Sequence, residues 1–112
     1  MKTIQFTDAL GYSHKCVLEV SKYSAGKGTA IQFLEYDEEF ECWFPYATAT
    51  VNLGNKISEE YAYLDTNNFP QVTDIFEKYG FGKYTGNFRA SGFCIYPLYK
   101  LNLKKVMEYT ER

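Results

Sequence analysis

An eight-residue stretch near the middle of the chain, from Tyr46 to Leu53, alternates strictly between two kinds of side chain. Successive side chains of a β-strand point to opposite faces, so this stretch would have one apolar face. That face carries Ala47, Ala49, Val51 and Leu53. The other face carries tyrosine, threonine and asparagine and would be half solvated, as antiparallel sheets allow. The pattern therefore predicts a central β-strand, which ends in turn chemistry at Gly54-Asn55.

Further segments with strand character lie on both sides of this stretch. They are residues 2–7, 14–20, 29–36, 60–64 and 93–103. The first two predict a hairpin, and glycine-containing sequences predict loops at 21–28 and 81–92, the second with a loose hairpin arm. Pro45 and Pro97 cannot donate to a β-ladder, so each predicts a bulge or an edge position. Residues 104–112 predict either a short helix or a frayed tail.

Residues 69–79 carry the clearest helix signal. Asn68 is placed as the N-cap, Pro70 falls in the first turn, and Gly80 falls where a C-cap glycine belongs. Between them, four apolar residues recur at helical spacing: Val72, Ile75, Phe76 and Tyr79. The segments together predict one α+β domain over residues 1–112. We expect a mainly antiparallel twisted sheet of five or six strands, with one or two helices packed on one face.

The composition bounds the size of such a domain and indicates the cellular compartment in which it acts. The chain has 112 residues, enough for one core, and 19% of them are aromatic. No run is apolar enough to span a membrane and the N-terminus lacks a signal-peptide pattern, so a cytoplasmic location is expected. Cys16, Cys42 and Cys94 have no disulfide or zinc spacing and are predicted to be buried thiols. No cofactor or metal is indicated. Many tyrosines and edge strands are compatible with a homodimer.

An acidic cluster is the sharpest electrostatic feature and the predicted protein-binding site. It comprises Glu35, Asp37, Glu38, Glu39 and Glu41. Such a cluster could mimic nucleic-acid phosphates and occupy a basic groove, with binding steered by charge and weakened by salt. The competing interpretation is a solvated turn between two strands. Acid–base catalysis is not expected there, because nothing on an exposed turn would separate the carboxylate pKa values.

A basic and aromatic segment offers the alternative function. Lys83, Tyr84, Phe88 and Arg89 could stack on bases and hold phosphates as a nucleic-acid-binding module. Nucleic acid is the less favoured partner, because the whole chain is acidic at −2. The charge is uneven, at −7 over residues 1–77 and +5 over residues 78–112, so the fold could also present one acidic and one basic face. The glycines of residues 80–86 are not followed by the lysine and the serine or threonine in the order that a phosphate-binding loop requires.

His14, the only histidine, precedes an apolar strand, which favours a surface or strand-end role over catalysis with a cysteine. We therefore expect no enzyme.

A series of short motifs, in a fixed order, resembles a small group of bacterial proteins known as domain of unknown function family 4313. The motifs are the Met1–Phe6 strand, the lysine- and glycine-containing loop before Ala30-Ile31-Gln32, the segment Ala49–Leu53, the turn at Asp65, the helix end Phe76–Gly80 and the strand start Ser91-Gly92-Phe93. They span nearly the whole chain. The acidic turn and the tail after Leu103 look particular to this chain.

The resemblance implies a genetic context rather than an activity. Members look like cargo of plasmids, conjugative elements and phages, and no catalytic residues are assigned in them. The context implies an accessory protein of a mobile element that binds and blocks a host machine. The partner implied is a host defence nuclease complex, with inhibition of the anti-CRISPR or anti-restriction type.

Overall fold

The computed structural model describes residues 2–110, which form eight strands and two helices. The strands are β1 (Ile4–Thr7), β2 (Ser13–Lys22), β3 (Thr29–Asp37), β4 (Cys42–Thr48), β5 (Thr50–Val51), β6 (Tyr61–Leu64), β7 (Gly82–Ser91) and β8 (Cys94–Leu101). The helices are α1 (Val72–Tyr79) and α2 (Leu103–Met107), with a single 3₁₀ turn at Ser24–Gly26. No helix within residues 2–110 has the length and apolar character that crossing a membrane requires.

The strands form two antiparallel four-stranded sheets. Their orders are β1-β2-β3-β4 and β5-β6-β8-β7. The predicted α+β class with mainly antiparallel strands is confirmed, and the strands are divided between two sheets of four where one sheet of about five or six was expected. The additional strands include β7, which the glycines of residues 81–92 made resemble a loop. It is a ten-residue strand that pairs with β8 from Gly82 opposite Leu101 to Ser91 opposite Cys94.

One cluster of buried side chains joins the two sheets and α1. Its largest fully buried members are Phe33 of β3, Phe76 of α1 and Phe81, which precedes β7. Gly82 follows directly, and a Cβ atom there would lie 2.9 Å from the Lys100 carbonyl oxygen, so the backbones of β7 and β8 approach too closely for a side chain. The close approach lets the start of β7 pack into the core.

The alternating stretch from Tyr46 to Leu53 is not a central strand. Its first part belongs to β4, at the edge of one sheet, and Thr50–Val51 forms β5, at the edge of the other. Ala49 connects them, since its N–H donates to the Ile31 carbonyl oxygen (2.8 Å) and its own carbonyl oxygen accepts from Asp65 N–H (2.9 Å). The stretch therefore carries the chain from one sheet to the other.

Thr50 departs from the predicted half-solvated face, because it is buried. Its hydroxyl oxygen accepts a hydrogen bond from the Ile31 N–H (3.1 Å) and also hydrogen-bonds with the Tyr23 hydroxyl (3.0 Å). The β3 backbone group that faces β5 is thus satisfied by a side chain rather than by a strand. Thr50 therefore stabilises the point at which the chain passes from the first sheet to the second.

Several local predictions are confirmed and others need correction. The first hairpin, the third strand and the bulges beside both prolines are present, and Gly80 ends α1 in the left-handed conformation (φ 73°). Asn68 is not the N-cap: the Asp65 carboxylate accepts from its backbone and side-chain N–H groups, and the helix begins at Val72. Residues 103–107 form α2, whereas Glu111 and Arg112 lie outside the described residues.

The three thiols are free, but only Cys16 is buried. Cys42 and Cys94 are half-exposed, so the prediction of a buried thiol is wrong for both. Each stands at the start of the second strand of a hairpin, immediately after an exposed turn. The apolar residues around them in sequence belong to hairpin ends that project away from the core, which the apolar pattern alone could not indicate.

Candidate functional site

The predicted acidic cluster centres on the turn between β3 and β4. Asp37 ends β3, and its Oδ1 accepts hydrogen bonds from the backbone N–H groups of Glu39 (2.9 Å) and Phe40 (3.1 Å). Aspartate favours this local geometry because its short carboxylate reaches the backbone two and three residues later. Asp37 therefore stabilises the turn, and its negative charge is partly engaged by the backbone rather than free for a partner.

The rest of the turn projects charge and an aromatic ring into solvent. Glu38, Glu39 and Glu41 are exposed, and Glu41 adopts a positive φ of 52°, which side-chain-bearing residues rarely adopt. Between them Phe40 is 66% exposed, and its ring packs edge-on against Phe44, which is 44% exposed, at 6.1 Å between centroids. We call the five residues Glu38, Glu39, Phe40, Glu41 and Phe44 the acidic tip.

Glu35 does not belong to the acidic tip, although it lies close in sequence. Its Oε2 lies 2.7 Å from Nδ1 of His14, on the face of β3 that carries Phe33 into the core. The opposite nitrogen, Nε2, lies 2.7 Å from Oδ2 of Asp8. The structure therefore places Glu35 in the Asp8–His14–Glu35 clamp, where His14 engages its carboxylate. Glu35 still lies opposite Phe44 in the β3–β4 ladder and borders an open groove with Asp37 and Glu38.

Elements from three parts of the first sheet build the clamp. Asp8 follows β1, and its Oδ1 also accepts the N–H groups of Leu10 (2.9 Å) and Tyr12 (3.0 Å), which fixes the β1–β2 turn. His14 lies opposite Phe6 in the β1–β2 ladder. Its ring stacks on Phe6 at 5.1 Å between centroids and lies 4.6 Å from the Tyr46 ring. The two carboxylates and the two aromatic rings together offset the cost of placing a positive charge on the half-buried His14 ring.

The electrostatics of the clamp favour a charged imidazole. Burial opposes the charge of His14, but its hydrogen bonds to Asp8 and Glu35 outweigh burial and raise its pKa above the ordinary histidine value. The hydrogen bond from His14 in turn is the main cause that lowers the pKa of the Asp8 carboxyl. In the charged imidazole both ring nitrogens carry a proton, and each can donate to a carboxylate oxygen at 2.7 Å.

The nearby Cys16 thiol is not poised as a nucleophile. It is fully buried, and burial together with the negative charge of Glu35 raises its pKa to about 12. A reactive cysteine needs thiolate character and access to solvent, and Cys16 has neither.

An open polar groove of about 700 Å³ borders His14, and Thr7, Ser13 and Lys78 also line it. The clamp has the chemistry of a structural ion pair. Within residues 2–110, no group of three or more histidine, cysteine or acidic side chains is arranged to hold a metal ion.

The four residues of the alternative nucleic-acid site all lie on β7, but they do not form one surface. Tyr84 pairs with Tyr99 and Phe88 with Pro97, so both aromatic rings lie on one face of the hairpin. Lys83 pairs with Lys100 and Arg89 with Tyr96, so both cations lie on the other face. Along the ribbon, stacking and phosphate binding would thus come from opposite faces, and only Lys83 and Tyr84 border one common groove, at its base.

The groove at the base of this hairpin has mixed charge. It has a volume of about 820 Å³ and is bordered by Lys83, Lys100 and Lys104, but also by Glu60 and Glu77. The carboxylates offset the attraction of the lysines for an anion. The groove therefore adds no clear preference for a nucleic acid.

Sequence reasoning missed the residues that most distinguish both clusters. No sequence signal marks Phe40 as exposed, because a phenylalanine that alternates with glutamates is typical of a half-buried strand. The six-residue separation of Asp8 from His14 across a short hairpin is the available sign that the two side chains could meet.

The fold and these clusters define a small α+β domain in which two antiparallel sheets share one core and two hairpins carry most of the exposed aromatic residues. The chain belongs to the family described as Domain of unknown function (DUF4313), whose model matches residues 17–112. The predicted resemblance is confirmed. The match includes the acidic tip, whereas Asp8 and His14 lie before it. No curated protein and no solved structure matches the chain.

Proposed function

We propose that this protein is a non-catalytic accessory protein of a bacterial mobile element or phage, and that it binds a partner protein through the acidic tip. One observation carries the proposal: Phe40 is 66% exposed at the end of a hairpin, between glutamates, and packs on Phe44. An exposed aromatic pair on a hydrogen-bonded turn is costly to leave in water. It suits the anchor of an interface, where aromatic residues carry much of the binding energy.

The chemistry of the tip defines the surface it would meet. Glu38, Glu39 and Glu41 surround the rings, so the complementary surface has an apolar pocket for Phe40 and a rim of lysine or arginine. The charges would speed the encounter and make it sensitive to salt, while the buried ring would set the lifetime of the complex. Asp37 positions the turn and is a supporting residue.

We infer a host defence nuclease as the partner class. Nucleases bind phosphates with grooves rich in lysine and arginine, and a turn with three free carboxylates presents a similar density of negative charge. The mobile-element context implied by the family resemblance supports an inhibitor of the anti-CRISPR or anti-restriction type. The protein would occupy the groove and exclude the nucleic acid.

A phage-plating assay tests this function directly. A bacterial strain that carries an active CRISPR or restriction nuclease would express the wild-type protein, a tip variant (Glu38→Lys, Glu39→Lys, Glu41→Lys) or a control variant (Glu19→Lys, Glu60→Lys, Asp74→Lys). Both variants change the charge equally, and the control positions are exposed and away from the tip. Restored plating with the wild type and the control, but not with the tip variant, is expected.

The same three proteins give the contrary results a clear meaning. Equal restoration by the tip variant would remove the acidic tip from the function. No restoration by the wild type against any nuclease of the panel would contradict the defence-inhibitor role. An anisotropy titration with single- and double-stranded DNA and RNA, in which we expect no binding by the β7–β8 hairpin, separates this proposal from the nucleic-acid alternative.

A further inference from the structure

The outer half of the β7–β8 hairpin has one face that is apolar and uncovered. Cross-strand pairing places Phe88 opposite Pro97 and Ala90 opposite Ile95 on this face. Phe88 is 61% exposed and Ile95 is 59% exposed, and Phe93 in the turn is fully exposed. We call Tyr84, Phe88, Ala90, Phe93, Ile95 and Pro97 the arm face.

The arm face continues the face that builds the core. At the base of the hairpin Tyr99 and Leu101 are buried, and Phe76 of α1 packs edge-on to the Tyr99 ring at 6.4 Å. Further out, α1 no longer covers the ribbon, and the same face reaches solvent. A two-stranded ribbon is marginally stable by itself in water, and a contiguous exposed apolar surface of this kind indicates an interaction site.

The charges of the hairpin show what kind of surface fits the arm face. Residues 82–101 contain no acidic residue and three cations, Lys83, Arg89 and Lys100. The pairing of Lys83 with Lys100 and of Arg89 with Tyr96 places all three on the opposite face. An acidic protein or an anionic membrane against the arm face would therefore have its negative groups turned away from these cations. Such a partner would gain little attraction from the cations, whereas an uncharged apolar surface does not depend on them.

We propose that the arm face packs against the arm face of a second copy of this chain. A two-fold axis would lay the two ribbons face to face, since a symmetric dimer brings identical patches together. The result would be a two-layer sandwich of four strands, with apolar side chains inside and the lysines and arginine outside in water. The proposal concerns a surface distinct from the acidic tip, so it goes beyond the proposed function and does not depend on it.

Light scattering after size-exclusion chromatography tests the proposal. The wild type is expected to have twice the 13.0 kDa mass of one chain. Phe88→Asp and Ile95→Asp would each bury a charge in the interface and should return the mass to that of one chain. Arg89→Glu, next to Phe88 on the opposite face, and Leu10→Asp, an exposed apolar residue elsewhere, should remain dimeric.

Circular dichroism establishes that each variant is folded, and Phe88→Ser replaces Phe88→Asp if the latter is not. A wild type that stays at the mass of one chain up to high micromolar concentration would overturn the proposal. So would a dimer that persists in both folded interface variants. A monomeric wild type that sediments with anionic phospholipid vesicles would also overturn it and would assign the arm face to a lipid surface.

Discussion

Nδ1 of His14 lies 2.7 Å from Oε2 of Glu35, twenty-one residues away in sequence, because β2 and β3 pair with Cys16 opposite Glu35. The second imidazole nitrogen meets Asp8 at the same distance. The only histidine of the chain is therefore held by carboxylates from two different segments. This clamp fastens the β1–β2 turn to the first sheet beneath the rings of Phe6 and Tyr46.

The clamp should make stability depend on pH in two directions. The pKa of His14 is raised by folding, so its contribution is fully present below the unfolded value of about 6.5 and is lost as pH rises through the folded pKa. The pKa of Asp8 is lowered by folding, so its contribution is present above about 3.9 and is lost as pH falls through the folded pKa. Thermal unfolding from pH 3 to 10 should show a maximum in the mildly acidic range.

His14→Gln isolates the histidine part of this dependence. We expect a loss of about 1–2 kcal/mol in the free energy of unfolding at pH 6, since hydrogen bonds to a charged group disappear, and a smaller loss at pH 9. Direct NMR titration of the single imidazole should give a pKa above 6.5. A pKa below that value, or an equal loss at both pH values, would show that folding does not favour the charged form of His14.

The junction between the two sheets depends on the hydroxyl group of Thr50. Thr50→Val keeps the shape of the side chain but removes the acceptor for the Ile31 N–H, which is then left buried without its partner. We expect a loss of about 1–3 kcal/mol in the free energy of unfolding, measured by urea denaturation. Thr50→Ser keeps the hydroxyl and is the matched control, with a smaller loss from the missing methyl group. Equal losses would contradict a role for the hydrogen bond.

Gly82 should tolerate no side chain. In Gly82→Ala the new Cβ would lie 2.9 Å from the Lys100 carbonyl oxygen, a backbone atom that can move only with the sheet. We expect a loss of about 1–3 kcal/mol from this overpacking. Ser91→Ala, at the exposed end of the same strand, should change stability by less than about 0.5 kcal/mol. Thermal melts of both variants give the comparison, and a stable Gly82→Ala protein would mean that the two strands separate easily there.

Substitution by alanine should have opposite effects at a buried phenylalanine and at an exposed one. Phe76→Ala removes a fully buried ring and should cost about 3–5 kcal/mol. Phe40→Ala removes an exposed ring and should leave stability within about 0.5 kcal/mol while it weakens partner capture. Chemical denaturation and capture on the same preparations separate the effects. A large loss of stability in Phe40→Ala would show that the ring is structural.

Local patterns predicted much of the fold, because alternation, prolines and a terminal glycine act within a few residues. The first hairpin, the third strand and the end of α1 at Gly80 followed from them. The change of sheet at Ala49 did not, since the alternation of residues 46–53 is the same whether one sheet or two receives it. β7 was missed because Gly82, Gly86 and Gly92 resemble a loop, although Gly82 is required by a close approach of strands.

The candidate site was only partly predictable for a related reason. The charges of the acidic tip were visible in sequence, but the direction of Glu35 depends on the register between β2 and β3. The separation of Lys83 and Arg89 from Tyr84 and Phe88 likewise depends on the pairing of β7 with β8. Sequence shows which residues are near one another along the chain, whereas register decides which of them share a face.

The most direct test of the acidic tip is affinity capture from a bacterial host lysate, read by mass spectrometry at low and high salt. The wild-type protein, the tip variant and the control variant defined above would be compared on equal amounts of resin. We predict that the wild type and the control retain the same nuclease at low salt and release it at high salt, and that the tip variant does not retain it. Retention of that nuclease by all three proteins, or by none, would contradict binding through the acidic tip.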